Sequence, residues 1–359
     1  MSEQRRLLAY HQTAPAPVDG VHRIVLDRPE ARNAISRRLL ADLDAALDSV
    51  LAHAAKPTSS SSSLPPTPPD SAPASRAGSI SGPSSASTHF SPASLTFTPA
   101  RASSSNEGEE QEGEDDEDDA DTSSSMASST STLVHPAPAD PLRCLILESS
   151  SPAAFCAGAD LIERRTMSES EVVDFLSRLR KLVGKLADFP VPTIAVLQGS
   201  ALGGGLELAL ACDFRVGGGK STSEKTRIGF PETHLGIIPG AGGTQRAPRL
   251  IGLSRAKELV YTGKLLDTRE AHEWGIIDHL ADEDEEAMQR ALRLAQSMTR
   301  SAPLALASAK KAMTIGADLE LEKALDWEES CYEVLLPTQD RREALIAFAE
   351  KRKPKFVGR

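Results

Sequence analysis

The sequence predicts an α/β fold built on a mostly parallel sheet and followed by a helical C-terminal region. Three observations predict it. Short apolar runs of strand length alternate with runs of helical length between residues 21 and 212. From residue 254 onward the spacing is helical almost throughout. A stretch with neither period, residues 56–140, interrupts the alternation inside what reads as one strand, helix and strand unit.

Taken in order, residues 21–27 (VHRIVLD) read as a strand. Residues 34–52 read as a helix with Leu39, Leu40, Leu43, Ala46, Leu47 and Val50 at helical spacing. The character then changes: Ser and Pro dominate, an acidic run follows, and Ser returns through Thr132. Such a segment has too little apolar surface to offset the entropy of ordering it, so residues 56–140 are expected to be disordered. A long solvated insertion costs little closure free energy; a regulatory role through Ser phosphorylation is the alternative. Residues 142–148 (LRCLILE) read as a buried strand that completes the interrupted unit. The insertion is therefore expected within a single domain ordered over about residues 18–55 and 141–359.

Residues 169–186 form an amphipathic helix in this reading, and residues 193–197 a short strand opened by Pro-Val-Pro. A Gly-rich turn from Leu202 then leads into an apolar helix over residues 206–212. Helices are expected at 268–274, 285–298, 303–315 and 319–335.

Charge and cysteine usage exclude several classes. The net charge of the 359 residues is −11, but residues 107–121 alone hold eleven carboxylates and no Lys or Arg. The remainder is balanced and offers no bulk positive charge to hold a nucleic acid. Cys144, Cys156, Cys212 and Cys331 are scattered, which fits a reducing compartment better than a disulfide framework. No run of membrane-spanning length occurs. Residues 1–10 hold Arg5 and Arg6 but no apolar core, so they are not a secretory signal and make only a weak mitochondrial presequence.

Three segments carry chemistry. Residues 155–161 (FCAGADL) are small residues past a strand: a tight turn explains them, and so does close backbone approach to a ligand. Residues 201–209 (ALGGGLELA) place three glycines at a helix start, more than a turn needs, which suggests backbone N–H groups aimed at an oxygen that gains negative charge. Neither G-x-x-x-x-G-K-[ST] nor G-x-G-x-x-G is matched. Glu207, in the first turns of that otherwise apolar helix, is either compensation of the helix dipole or a catalytic carboxylate in a desolvated pocket. Residues 229–245 (GFPETHLGIIPGAGGTQ) put Glu232 after a proline, on a loop, and add a second Gly-rich helix start.

These segments, together with AHEWGIID at 271–278, resemble the crotonase superfamily of enoyl-CoA hydratases and isomerases over the chain from Val21 onward, the insertion excepted. The resemblance implies a spiral of ββα repeats with a C-terminal helical region, assembled as trimers or hexamers. It implies an oxyanion hole made by the N–H groups of Ala159 and Gly204, catalytic carboxylates at Glu207 and Glu232, and a water-positioning N–H at Gly240. Ala157, Gly158, Ala159, Asp160, Leu161 and Gly204 are the implied substrate contacts. No metal and no cofactor are implied, since coenzyme A is part of the substrate.

Both glutamates being present favours a hydratase, a hydro-lyase that needs one carboxylate to activate water and one to manage the α-proton. Which is acid and which base stays open, because a shared water couples them. Residues 160–176 and 331–356 are more similar to 3-methylglutaconyl-CoA hydratases of leucine breakdown, which are mitochondrial; residues 229–232 and 239–243 look as much like general hydratases. The alternative is a broad short-chain enoyl-CoA hydratase/isomerase of fatty acid β-oxidation. Ile162 stands where many relatives carry Lys, which leaves Arg164 and Arg165 as the nearby cations for the phosphates of coenzyme A. An RNA-binding role, known in the methylglutaconyl family through a Lys-rich first helix, is disfavoured: here that helix has Arg37 and Arg38 against Asp42, Asp44 and Asp48.

Overall fold

In the computed structural model the described residues are 7–13, 19–54, 141–219, 225–283 and 285–359. The expected insertion at 56–140 and residues 1–6 lie outside them. The described chain begins with β1 (Ala9–Thr13), antiparallel to β2 (Val21–Leu26), then α1 (Arg37–Ala54) and β3 (Cys144–Ser149). β2 and β3 pair in parallel from Val21 opposite Cys144 to Leu26 opposite Ser149, so the two strands that flank residues 56–140 are neighbours in one sheet. That is the strand, helix and strand unit the sequence predicts.

After β3 the chain alternates between two sheets. β4 (Ala154–Cys156) starts the second sheet, and α2 (Leu161–Arg164) and α3 (Glu169–Ala187) return the chain to the first. The cycle repeats with β5 (Thr193–Leu197), β6 (Ser200–Leu202) and α4 (Gly204–Ala211), and again with β7 (Phe214–Gly217) and β8 (Ile228–Gly229). One strand per sheet and then a helix is the expected ββα spiral. Past α5 (Gly243–Ile251), α6 (Leu253–Thr262), β9 (Leu265–Leu266), α7 (Thr268–Glu273) and β10 (His279–Leu280), the sheets close in the orders β1-β2-β3-β5-β7-β10 and β4-β6-β8-β9. The chain ends in α8 (Ala287–Met298), α9 (Pro303–Gly316), α10 (Leu321–Glu333) and α11 (Gln339–Ala349).

The central strands β3 (CLILES) and β5 (TIAVL) of the first sheet read as near-unbroken apolar runs because both faces are covered there. Alternate residues divide between them. Leu145 and Leu147 of β3 face the main core with α1, α3 and α4, while Cys144 and Ile146 face a second cluster against α8. Ala287, Ala291 and Ala295, four residues apart, give α8 a small-residue stripe that fits closely on the sheet. Ser168 and Glu171 form a capping box at the start of α3, which fixes the helix that later walls the site.

α11 falls in the region expected to be helical, although the sequence pattern sets no bounds for it. Its buried residues are Asp340 and Ala347, so no apolar stripe announces it. Leu345, Ile346 and Phe348 of this helix are exposed, as are Leu321, Leu325 and Tyr332 of α10.

Candidate active site

The first site segment is the turn from β4 into α2. Ile35 bridges Ala159 in parallel: the Ile35 N–H donates to Gly158 O, and the Asp160 N–H donates to Ile35 O. A parallel bridge of this kind uses the groups on either side of Ala159, so the Ala159 N–H points away and meets no acceptor among the described residues. Gly158 adopts φ +91, where a Cβ would also crowd Leu202 O, so glycine is required there.

The second segment is the start of α4. The N–H groups of a helix's first turn have no partner inside the helix, and that of Gly204 has no acceptor among the described residues. A Cβ on Gly204 would lie 3.9 Å from Ala159 N, and one on Gly158 would lie 3.5 Å from Gly204 N. The two unengaged N–H groups therefore sit side by side on touching stretches of backbone. Gly205 is pressed against the carbonyl of Cys156, which leaves no room for a side chain and fixes α4 against β4. The surplus of glycines is explained: each of the three solves a different close contact.

Glu207 follows one turn into α4 and is 2 % exposed. Its Oε1 accepts hydrogen bonds from Ala241 N and Gly243 N, both at 2.7 Å. Burial raises its carboxyl above the usual range, while those two N–H groups and the charges of Arg246 and Arg180 pull it back. Glu232 opens a 3-10 turn, Glu232–Leu235, after Pro231. It is 9 % exposed, and its Oε2 has no hydrogen-bond partner among the described residues. Burial pushes its pKa up to about 7, with the negative charge of Glu207 acting in the same direction. Gly203, at φ +49, admits it: a Cβ there would stand 2.5 Å from Glu232 Oε1.

One cavity is lined by Ala157, Gly158, Ala159, Leu161, Gly204, Glu207, Glu232 and Gly240, and so gathers all but one of the residues singled out from the sequence. The exception is Asp160, expected to contact substrate. Its carboxylate caps α2 by accepting from Ile162 N and Glu163 N, and pairs with Arg28 at 2.7 Å, so it is spent on holding the turn. Ile162 is exposed and does not line the cavity; Arg164 does. Gly240 O accepts from Arg180 Nε at 2.6 Å, and the Gly240 N–H has no acceptor among the described residues.

Sequence reasoning missed three contributions. The Ala241 and Gly243 N–H groups that hold Glu207 are 34 and 36 residues away from it. Phe175, Leu176 and Leu179 of α3 supply an apolar wall, although their spacing marks only an ordinary amphipathic helix. Asn33, fully buried, donates from Nδ2 to Ser149 Oγ, Ala154 O and Phe155 O and so braces the strand before the Ala159 turn. The signal for it was present only as a lone Asn in a loop.

An arrangement of two unengaged N–H donors beside two buried carboxylates, one of them held by backbone N–H groups and the other with a bare oxygen, suits reactions in which charge builds on a carbonyl oxygen while a proton moves nearby. Known proteins carry the same sequence pattern. Residues 132–359 match the family described as Enoyl-CoA hydratase/isomerase. Enoyl-CoA isomerase/hydratase fer4 of Mycosarcoma maydis is 54 % identical over 228 residues, 63 % of this chain and 81 % of that protein. The mitochondrial methylglutaconyl-CoA hydratase of Homo sapiens is 47 % identical over 220 residues, covering 60 % of this chain and 63 % of the human protein. A crystal structure of an enoyl-CoA hydratase from Bacillus anthracis superposes with TM-score 0.68 at 30 % identity, covering 97 % of this chain and 99 % of that one. With the spiral fold, the paired N–H donors and this match over most of its length, the chain belongs to the enoyl-CoA hydratase/isomerase family, the crotonase superfamily.

Proposed function

We propose that this protein adds water across the α,β double bond of an enoyl-CoA thioester, with Glu207 as base and Glu232 as acid. The observation that carries this reading is the unequal treatment of two carboxylates in one cavity. Glu207 has Oε1 engaged by two backbone N–H groups, which favour its ionised form against the burial that raises its pKa, whereas Glu232 has a bare Oε2 and a pKa pushed up to about 7. The thioester oxygen accepts from the Ala159 and Gly204 N–H groups, which drains electron density from the β-carbon. Glu207 takes a proton from water, aided by the Gly240 N–H, and the hydroxide oxygen bonds to the β-carbon. Glu232 gives its proton to the α-carbon as the enolate collapses. Water regenerates no net charge: one proton enters at Glu207 and one leaves at Glu232, and the pair re-equilibrates before the next turnover. Coenzyme A enters as part of the substrate.

The 47 % identity to a methylglutaconyl-CoA hydratase supports 3-methylglutaconyl-CoA, the intermediate of leucine breakdown, as substrate, and the mitochondrial relatives support that compartment. A second reading is favoured by the 54 % identity to an isomerase/hydratase: a broad short-chain hydratase in which Glu232 also shuttles a proton between the α- and γ-carbons. Nucleic-acid binding gains no support, because Arg37 already pairs with Glu171 and Arg38 with Asp42. The exposed apolar residues of α10 and α11 support a trimer or hexamer.

A panel of enoyl-CoA thioesters tests the reading through loss of the conjugated thioester absorbance. Hydration of crotonyl-CoA, with faster hydration of 3-methylglutaconyl-CoA, is expected. Isomerisation of a β,γ-enoyl-CoA without hydration of either would overturn it in favour of the isomerase alone. Sedimentation at micromolar concentration checks the assembly, and a monomer would contradict the oligomer.

A further inference from the structure

The hydration chemistry uses both carboxylates of the cavity but leaves without a task the one cation that lines it among the described residues. Arg164 stands at the C-terminal end of α2 and lines the cavity beside Leu161, Phe175, Leu176 and Leu179. Its guanidinium lies 5.3 Å from the centre of the Phe175 ring, and Phe175 is itself buried. Nη1 is shut off from solvent and has no hydrogen-bond partner among the described residues. A charged donor withdrawn from water and left unpaired is costly, and an anion arriving in the cavity would recover that free energy.

Neither glutamate is that anion: Glu207 Oε1 accepts from Ala241 N and Gly243 N, and neither Arg164 Nη1 nor Glu232 Oε2 has a hydrogen-bond partner among the described residues. Nor does the position suit a phosphate of coenzyme A, which carries its own hydration, because Nη1 is enclosed against an apolar wall. Arg165, the next residue, is exposed and better placed for such a contact.

Resting on the enoyl-CoA hydratase reading above, we propose that Arg164 is a specificity-determining residue that receives a carboxylate at the far end of the acyl chain. The preferred substrates are then enoyl thioesters of dicarboxylic acids. The guanidinium fork matches a carboxylate in two parallel hydrogen bonds, and the Phe175 ring beneath it supplies a cation–π contact. An acyl chain that ends in a methyl group leaves Nη1 desolvated and unpaired. Discrimination therefore comes from the penalty on the wrong substrate as much as from attraction of the right one.

The test uses glutaconyl-CoA and crotonyl-CoA, which differ only by a carboxylate in place of one hydrogen on the terminal carbon. Wild type should favour glutaconyl-CoA in kcat/KM. Arg164→Met keeps an apolar stem of similar length and removes the fork; it should lower kcat/KM for glutaconyl-CoA roughly 10- to 150-fold, the span expected for losing a hydrogen bond to a charged group. Turnover of crotonyl-CoA should hold or rise, which also reports that the variant is folded. Arg164→Lys, keeping the charge without the fork, should fall between. An equal fall on both substrates would assign Arg164 to the shared coenzyme or to the scaffold and overturn the proposal, as would an unchanged ratio. Wild type that hydrates neither thioester sinks the hydratase reading itself; wild type active on crotonyl-CoA with a ratio that Arg164→Met does not move sinks only the assignment of Arg164.

Discussion

Replacing Glu232 by Gln should destroy activity and stabilise the protein, but only above neutral pH. The folded protein holds this carboxyl 9 % exposed with one oxygen unpartnered, and its pKa stands at about 7 against an ordinary 4.5. Because the folded value lies above the unfolded one, the folded state binds more protons between those two pH values. Stability therefore falls as pH rises from about 4.5 through about 7, and the whole loss is present above that window. Its size is about 3 kcal/mol, taking about 1.4 kcal/mol for each pH unit by which the carboxyl is displaced. Gln has the same shape and never ionises, so Glu232→Gln escapes the loss. Thermal unfolding from pH 5 to pH 8.5 checks this: the two proteins should melt together near pH 5 and separate toward pH 8. At roughly 2 °C per kcal/mol for a domain of this size, the variant should then melt about 6 °C higher. A variant that melts below wild type at pH 8, or a difference that does not change with pH, would refute the reasoning that burial sets the Glu232 pKa.

The other predictions concern the backbone around the site and the insertion. Gly204→Pro places proline at the first position of α4, where the helix tolerates it, and removes one of the two donors; kcat should fall about 10²- to 10³-fold with KM little changed. A fall in KM-limited binding alone would argue against an oxyanion role. Gly205→Ala drives a methyl into the carbonyl of Cys156, a backbone atom of β4 that cannot give way, so it should destabilise by about 1–3 kcal/mol and lower Tm accordingly. An unchanged Tm would show that α4 is free to shift. Deleting residues 58–132 should leave kcat/KM within about tenfold, a change of about 1.4 kcal/mol in barrier, and an insoluble or inactive product would contradict the reading of this stretch as an insertion.

Much of the fold was legible because the first sheet is buried on both faces, so its strands stand out as short apolar runs such as CLILES and TIAVL. The second sheet was not, since strands of two or three residues such as Ile228–Gly229 are too short to show any period. The bounds of α11 were unreadable within the helical tail for a different reason: its buried positions are an aspartate and an alanine, and Asp340 accepts from Val357 N and Gly358 N in the C-terminal segment. In the site, Glu207 was visible as a charge in an apolar helix and the glycines as more than a turn requires. The partners of Glu207 were invisible, because Ala241 and Gly243 act through backbone N–H groups that every residue but proline has. Asp160, a substrate contact implied by the resemblance alone, has its carboxylate engaged in a helix cap and with Arg28. The enclosure of Arg164 Nη1 beside Phe175 has no counterpart in the sequence pattern, because it depends on where α3 packs against α2.

The central claim is that Glu207 and Glu232 share one hydration step, and steady-state hydration of crotonyl-CoA by Glu207→Gln, Glu232→Gln and the double variant tests it most directly. Each single variant should lose about 10²- to 10⁴-fold in kcat, the usual range for a positioned acid or base. The double variant should lose far less than the product of the single losses, since both residues act on one addition of water. Single variants that hydrate at near wild-type rates, or losses that multiply in full, would contradict the account.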